Sequence, residues 1–204
     1  MDDARKRPPD HECLLGVAST QHGFFTATQA RACGFGTDLL PYHARTGRFV
    51  RIYQGVYRLR DYPSSEHEPV VAAWLAIGRG VAVVSHESAL ALHDLTDDIP
   101  SIIHLTVPRS HRYLLTLPHV RLHTTTRPLE PADVVVRDGV RATAPIRTLL
   151  DVAEAGTGPE RIEIAIRQAV RRSLLLPDKL SAAAHKRSAR VQAFVNTALD
   201  RVRA

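Results

Sequence analysis

The segment from Gly23 to Leu59, GFFTATQARACGFGTDLLPYHARTGRFVRIYQGVYRL, constrains this chain more than any other. Its punctuation predicts helix, tight turn, helix and then a short basic hairpin. Thr26 is suited to cap a first helix through Gln29, Ala30 and Arg31, because a hydroxyl can accept from a first-turn N–H that has no partner within the helix. Gly34 sits where such a helix stops. Thr37 is the expected cap of a second helix that carries Leu39, Leu40 and Tyr42 through Thr46, with Gly47 ending it. Arg48 to Tyr53 and Val56 to Leu59 then alternate apolar and polar residues around Gln54-Gly55, as two paired strands do. This is the order of a winged helix-turn-helix, whose second helix normally lies in the DNA major groove.

Charge supports that reading through its distribution. The 204 residues carry a formal net charge of +6. From Leu39 to Arg60 there are five arginines (Arg45, Arg48, Arg51, Arg58, Arg60) and no acidic residue, whereas Pro63 to Val140 holds six basic against nine acidic residues. A basic block confined to the recognition helix and wing is the footprint expected for phosphate contact. Thr37, Tyr42, His43, Arg45 and Thr46 are the positions expected to face a groove, with Leu39 and Leu40 facing the core. Arg45 is the expected reader of a base edge, since a guanidinium matches guanine O6 and N7. Arg48 and Arg51 are expected to hold phosphate, with Gln54 at the wing tip. A solvated basic face and a protein-binding winged module are the competing readings.

The fold class read from the chain is α+β, a winged helix-turn-helix followed by a mixed α/β domain with a helical C-terminus. Residues 1–10, with the Pro8-Pro9 pair, read as a flexible leader, residues 11–62 as the DNA-binding domain and residues 63–204 as the second domain. The boundary is placed at Asp61-Tyr62-Pro63-Ser64-Ser65, where turn residues meet the charge reversal. Beyond it, Glu68 to Gly78 has helical spacing. Val81 to Val84, Ile102 to Val107 and Val120 to Thr124 read as strands, and Asp138-Gly139 as a two-residue hairpin turn. Ser85 is the expected cap of the helix HESALALHDL. Val191, Phe194, Val195, Ala198, Leu199 and Val202 form an apolar stripe on the last helix.

Chemical signatures are sparse. Cys13 and Cys33 lie twenty residues apart with no paired His/Cys spacing, so neither a disulfide framework nor a zinc site follows, and Cys33 reads as a small buried thiol. His86, His93, His104 and His123 invite a metal reading, but no H-E-x-x-H unit occurs. They read as hydrogen-bonded structural residues, with no metal expected. No phosphate-binding glycine loop and no nucleophile elbow is present. With no signal-like apolar region and no run of eighteen apolar residues, a cytoplasmic protein is expected.

Several phrases together resemble the AbiEi family of antitoxins, the repressor halves of bacterial toxin–antitoxin operons. They are G-F-F-T-A-T-Q-A-R-A-C-G-F, the wing R-F-V-R-I-Y-Q-G-V-Y-R-L, V-V-S-H-E-S-A-L-A-L-H-D-L, I-H-L-T-V-P-R and A-P-I-R-T-L-L-D-V-A, from about residue 20 to 155. Asp94 stands where the family often has Gly after A-L-x-L-H. The resemblance implies an N-terminal domain that binds operator DNA to repress its operon, as a homodimer if the operator is palindromic. It also implies a C-terminal domain tied to neutralising a nucleotidyltransferase-like toxin. Neutralisation by contact would use the arginine-rich terminal helices, with Arg171, Arg172, Lys186, Arg187 and Arg190 as the expected toxin-facing residues. Two alternatives stand beside it. One is an atypical serine/threonine kinase that inactivates the toxin by phosphorylation, which alone would call for ATP and magnesium as cofactors. The other is a winged-helix regulator without a toxin partner.

Overall fold

The computed structural model describes residues 8–113, 116–126 and 128–203. Residues 1–7 of the expected leader lie outside the described residues. Asp10, its last residue, is the N-cap of the first helix and accepts the Cys13 N–H at 2.9 Å. Contacts divide the chain into two compact units, one running to Gly80 and joined by Asp138–Val140, the other holding Val81–Arg137 and the rest of the chain from Arg141. The division falls after Gly80 and not at residue 62, because the helix Glu68–Ile77 packs on the sheet of the first unit.

The first unit runs α1 (His11–Ser19), β1 (Phe24–Thr26), α2 (Ala27–Ala32), α3 (Leu39–Arg45), β2 (Phe49–Tyr53), β3 (Val56–Leu59) and α4 (Glu68–Ile77). The sheet order is β1-β3-β2, antiparallel throughout. Thr26 caps α2 as expected, and Gln29 completes a reciprocal box by accepting the Thr26 N–H at 2.8 Å. Thr37 does not cap α3. Asp38 holds the N-cap position in a helical backbone with no side-chain bond, because the Leu39 N–H already donates to Gly36 O and the chain is turning before Thr37.

Leu14, Phe25, Phe35, Leu40, Phe49 and Tyr57 form the core of this unit. Gly23 has φ +84, and a Cβ there would lie 2.5 Å from the Tyr62 ring, so no side chain fits. The two cysteines correct the sequence reading. Cys13 on α1 and Cys33 at the C-cap of α2 form a disulfide with Cα atoms 5.7 Å apart. Helix packing closes a distance that spacing alone does not reveal, and the Asp10 N–H donating to Cys33 O ties the same two ends.

The second unit carries β4 (Val83–Val84), α5 (His86–Leu92), β5 (Ile103–Pro108), β6 (Val120–Thr125), β7 (Val134–Arg137), β8 (Val140–Thr143), α6 (Pro145–Ala155), α7 (Pro159–Arg171), α8 (Pro177–Ala184) and α9 (Ala189–Arg203). The five strands are ordered β6-β5-β4-β8-β7, with β4 antiparallel to β5 and parallel to β8, and β5 parallel to β6. Asp138 and Gly139 take φ +48 and +75, the left-handed pair that a tight hairpin requires. Asp94 stands at φ +54, a conformation that glycine adopts without cost. Leu90, Leu149, Ile166, Leu180, Val195 and Leu199 belong to one apolar cluster beneath α5–α9, so the predicted stripe on α9 is core. Among the described residues no helix is long and apolar enough to cross a membrane.

Candidate nucleic-acid interface and histidine cluster

On α3 the spacing separates two faces. Leu39, Leu40, His43 and Ala44 turn inward, while Tyr42, Arg45 and Thr46 are exposed. Arg45 lies 6.0 Å from the Tyr42 ring centroid, within reach of a cation–π contact. Arg48 and Arg51 are exposed on the wing, and Gln54 is exposed at its tip beside Gly55 (φ +74). Thr37 is exposed at the entry to α3. Arg45, Arg48 and Arg51 make no ion pair among the described residues. Three unneutralised guanidinium groups on one helix and its wing are suited to phosphate and base edges.

His43 does not face the groove. It is buried, with its ring 4.9 Å from Phe49 and 5.8 Å from Phe35. Burial lowers its pKa, and the neighbouring Arg48 and His11 add to the shift. The apolar stripe gave the signal, since His43 follows Leu39 by four and Leu40 by three. Arg58, counted in the basic block, is also interior. It pairs with Glu68 at 2.7 Å and donates to Leu59 O, Tyr62 O and Pro63 O. Arg60 donates to Gly47 O. The basic footprint therefore narrows to Arg45, Arg48 and Arg51.

In the second unit the histidines gather unexpectedly. His86 opens α5, His104 lies on β5 and His123 on β6. Since His123 pairs with Thr106, His104 and His123 share one face of the parallel pair. The His86 and His123 rings stack at 3.6 Å, and His104 Nδ1 is 2.9 Å from His123 Nε2. Glu87 Oε2 lies 3.3 Å from His104 Nδ1. Ser85 holds the N-cap position of α5 as expected, but its hydroxyl makes no cap bond, because it accepts from Thr106 Oγ1 at 2.8 Å and faces His86 Nδ1 at 3.0 Å. Burial, with His123 and His104 alongside, lowers the His86 pKa to about 3, and burial with His104 lowers that of His123 to about 4. His104 is lowered by burial too. For Glu87 burial pushes the pKa up, but the Thr157 hydroxyl, the backbone and the histidines outweigh it and leave it lowered. All three rings are thus neutral at pH 7 beside an ionised carboxylate. His93 stands apart, facing Thr143 O through Nε2 at 2.8 Å.

Of the expected toxin-facing residues, Arg171 at the end of α7, Arg172 just after it, Lys186 in the turn after α8 and Arg190 on α9 are exposed, and Arg187 is half-buried. Arg172, Arg187 and Arg190 also make bonds within the fold. Arg172 donates to Asp94 O, Arg190 to Ala153 O and Glu154 O, and Arg187 pairs at 2.9 Å with buried Asp151, which also binds Arg147 at 2.8 Å.

Residues 14–60 match a family described as "Transcriptional regulator, AbiEi antitoxin", and residues 81–200 match the "AbiEi antitoxin C-terminal domain". No curated protein matches the chain. Among solved structures, the RV2827C protein of Mycobacterium tuberculosis is similar in fold, with a TM-score of 0.61 at 17% identity over 98% of this chain and 79% of that one. The winged arrangement of the first unit and the two matches, which between them span most of both units, lead to one assignment: the chain belongs to the AbiEi antitoxin family.

Proposed function

We propose that the chain represses its own operon by binding operator DNA through α3 and the β2–β3 wing, and that it neutralises a nucleotidyltransferase-like toxin encoded beside it. The observation that carries the DNA reading is the trio Arg45, Arg48 and Arg51 in the regulator domain, exposed and without ion pairs among the described residues. Arg45 reads a base edge; Arg48 and Arg51 clamp phosphates, with Thr37, Tyr42, Thr46 and Gln54 around them. Two copies bind a two-fold operator, since palindromic DNA mirrors protein symmetry. Toxin contact falls to the second unit, with Arg171, Arg172, Lys186 and Arg190 among its exposed basic positions.

Nuclease protection of the DNA upstream of the gene tests the first part. A protected inverted repeat is the expected result, and uniform cleavage at saturating protein would remove the repressor reading. Mixing the chain with the neighbouring gene product, with and without ATP and magnesium, tests the second. Co-elution at unchanged mass is expected, whereas an added phosphate on the toxin would replace contact with catalysis.

A further inference from the structure

We propose that His86, His104 and His123 bind one divalent transition metal ion of the zinc class, with the Glu87 carboxylate as fourth ligand. One ring nitrogen from each histidine lies within 4.8 Å of the others, and the three come from separate elements, the start of α5, β5 and β6. A tetrahedral zinc site has metal–nitrogen distances of about 2.0–2.1 Å, which sets ligand atoms roughly 3.3 Å apart. His104 Nδ1 already stands 2.9 Å from His123 Nε2 and 3.3 Å from Glu87 Oε2. To aim at one ion the stacked His86 and His123 rings must turn about χ2, and the Glu87 carboxylate, which lies outside the 4.8 Å grouping of the three nitrogens, must swing in.

Three further observations favour a cation. Glu87 Oε2 is buried and receives no hydrogen bond among the described residues, while Oε1 accepts from Thr157. A buried carboxylate oxygen without a donor is costly, and a metal ion would satisfy it. Ser85 Oγ is placed to take the His86 Nδ1 proton, which leaves Nε2 as the ligand atom; ligating histidines usually donate their other N–H in this way. His86 also sits at φ +52, a strained backbone for a non-glycine residue, and such strain concentrates at functional positions.

The donor set selects the metal. Three imidazoles and one carboxylate suit zinc, cobalt, nickel or copper, whereas magnesium and calcium prefer oxygen alone. Access exists from two sides, since His86 and His123 line one cavity and His104 and Glu87 another. The ion would join the first turn of α5 to β5 and β6.

The test uses the full chain, stripped with a chelator and titrated with cobalt(II), then with zinc(II) as competitor. One equivalent of cobalt is expected to give the intense visible absorption of a tetrahedral site, which zinc abolishes. His123→Gln and Glu87→Gln should each weaken cobalt binding at least about tenfold. His22→Gln, in the other unit, should leave it unchanged. A weak octahedral spectrum from the unaltered chain, or unaltered affinity in both variants of the cluster, would overturn the site. Neither result depends on DNA or toxin binding.

Discussion

Arg58 is a cation that serves the interior. It lies on β3, the central strand, with β1 and β2 on either side, and Val56, Tyr57 and Arg58 are all buried. The period-two alternation that predicted the hairpin gives way on a strand covered on both faces. Removing Arg58 leaves Glu68 beside several backbone carbonyls without their donor. Arg58→Ala is expected to cost about 3–5 kcal/mol in urea unfolding, and a loss below about 1 kcal/mol would contradict the structural role. His93 supplies a prediction in pH. Burial lowers its pKa from the model-peptide value of 6.5, against the raising effect of the Thr143 carbonyl. Below pH 6.5 the unfolded chain therefore takes up a proton that the folded chain refuses, and stability falls as the pH drops. His86, His104 and His123 act in the same direction, so the test is a difference. Between pH 7.5 and 5, His93→Gln should lose less stability than the unaltered chain, and equal losses would refute the assignment. At this scale the sequence shows which residues are charged or titratable, but not which of them tertiary packing encloses. Arg45 and Arg51 were legible because helix and strand period place them outward. His43 was misplaced although its spacing from Leu39 and Leu40 put it on the apolar stripe.

Among elements, the helix-turn-helix was the most legible part of the chain. Its signals are local: the Thr26–Gln29 box, and glycines at positions 34, 47 and 55 with φ between +74 and +83. The disulfide and the histidine cluster were not legible, since each depends on elements distant in sequence being packed together. Cys13 and Cys33 close a loop of twenty residues, which by chain entropy stabilises the folded unit by about 3 kcal/mol. Adding a reductant, or replacing Cys33 with Ser, should lower the unfolding midpoint accordingly, and an unchanged midpoint would count against the bond. Gly23→Ala tests the packing of β1 against Tyr62. The positive φ and the 2.5 Å approach together should cost about 2 kcal/mol or more in thermal or urea unfolding. A neutral outcome would mean that the Tyr62 ring moves aside freely.

At the scale of the whole molecule, the sequence conveyed two units and their order, but it placed the boundary too early. A charge reversal and a Pro-Ser turn mark a surface feature near residue 63, whereas a unit ends where packing ends, after α4. The helical C-terminus was legible because its apolar stripes repeat over several turns, and those stripes proved to be core. The arginines of that region were harder to read. Arg172, Arg187 and Arg190 brace neighbouring helices and carbonyls, a role that composition does not separate from a partner surface. The proposed operator recognition rests on the first unit. It is tested most directly by fluorescence anisotropy on the DNA upstream of the gene, measured against salt for the unaltered chain, Arg45→Ala and Arg48→Ala. Arg45→Ala is expected to cost about 1–3 kcal/mol and to relax discrimination at one base pair. Arg48→Ala should weaken all sequences alike and reduce the salt slope by about 1. Affinity and slope unchanged in both variants would contradict it.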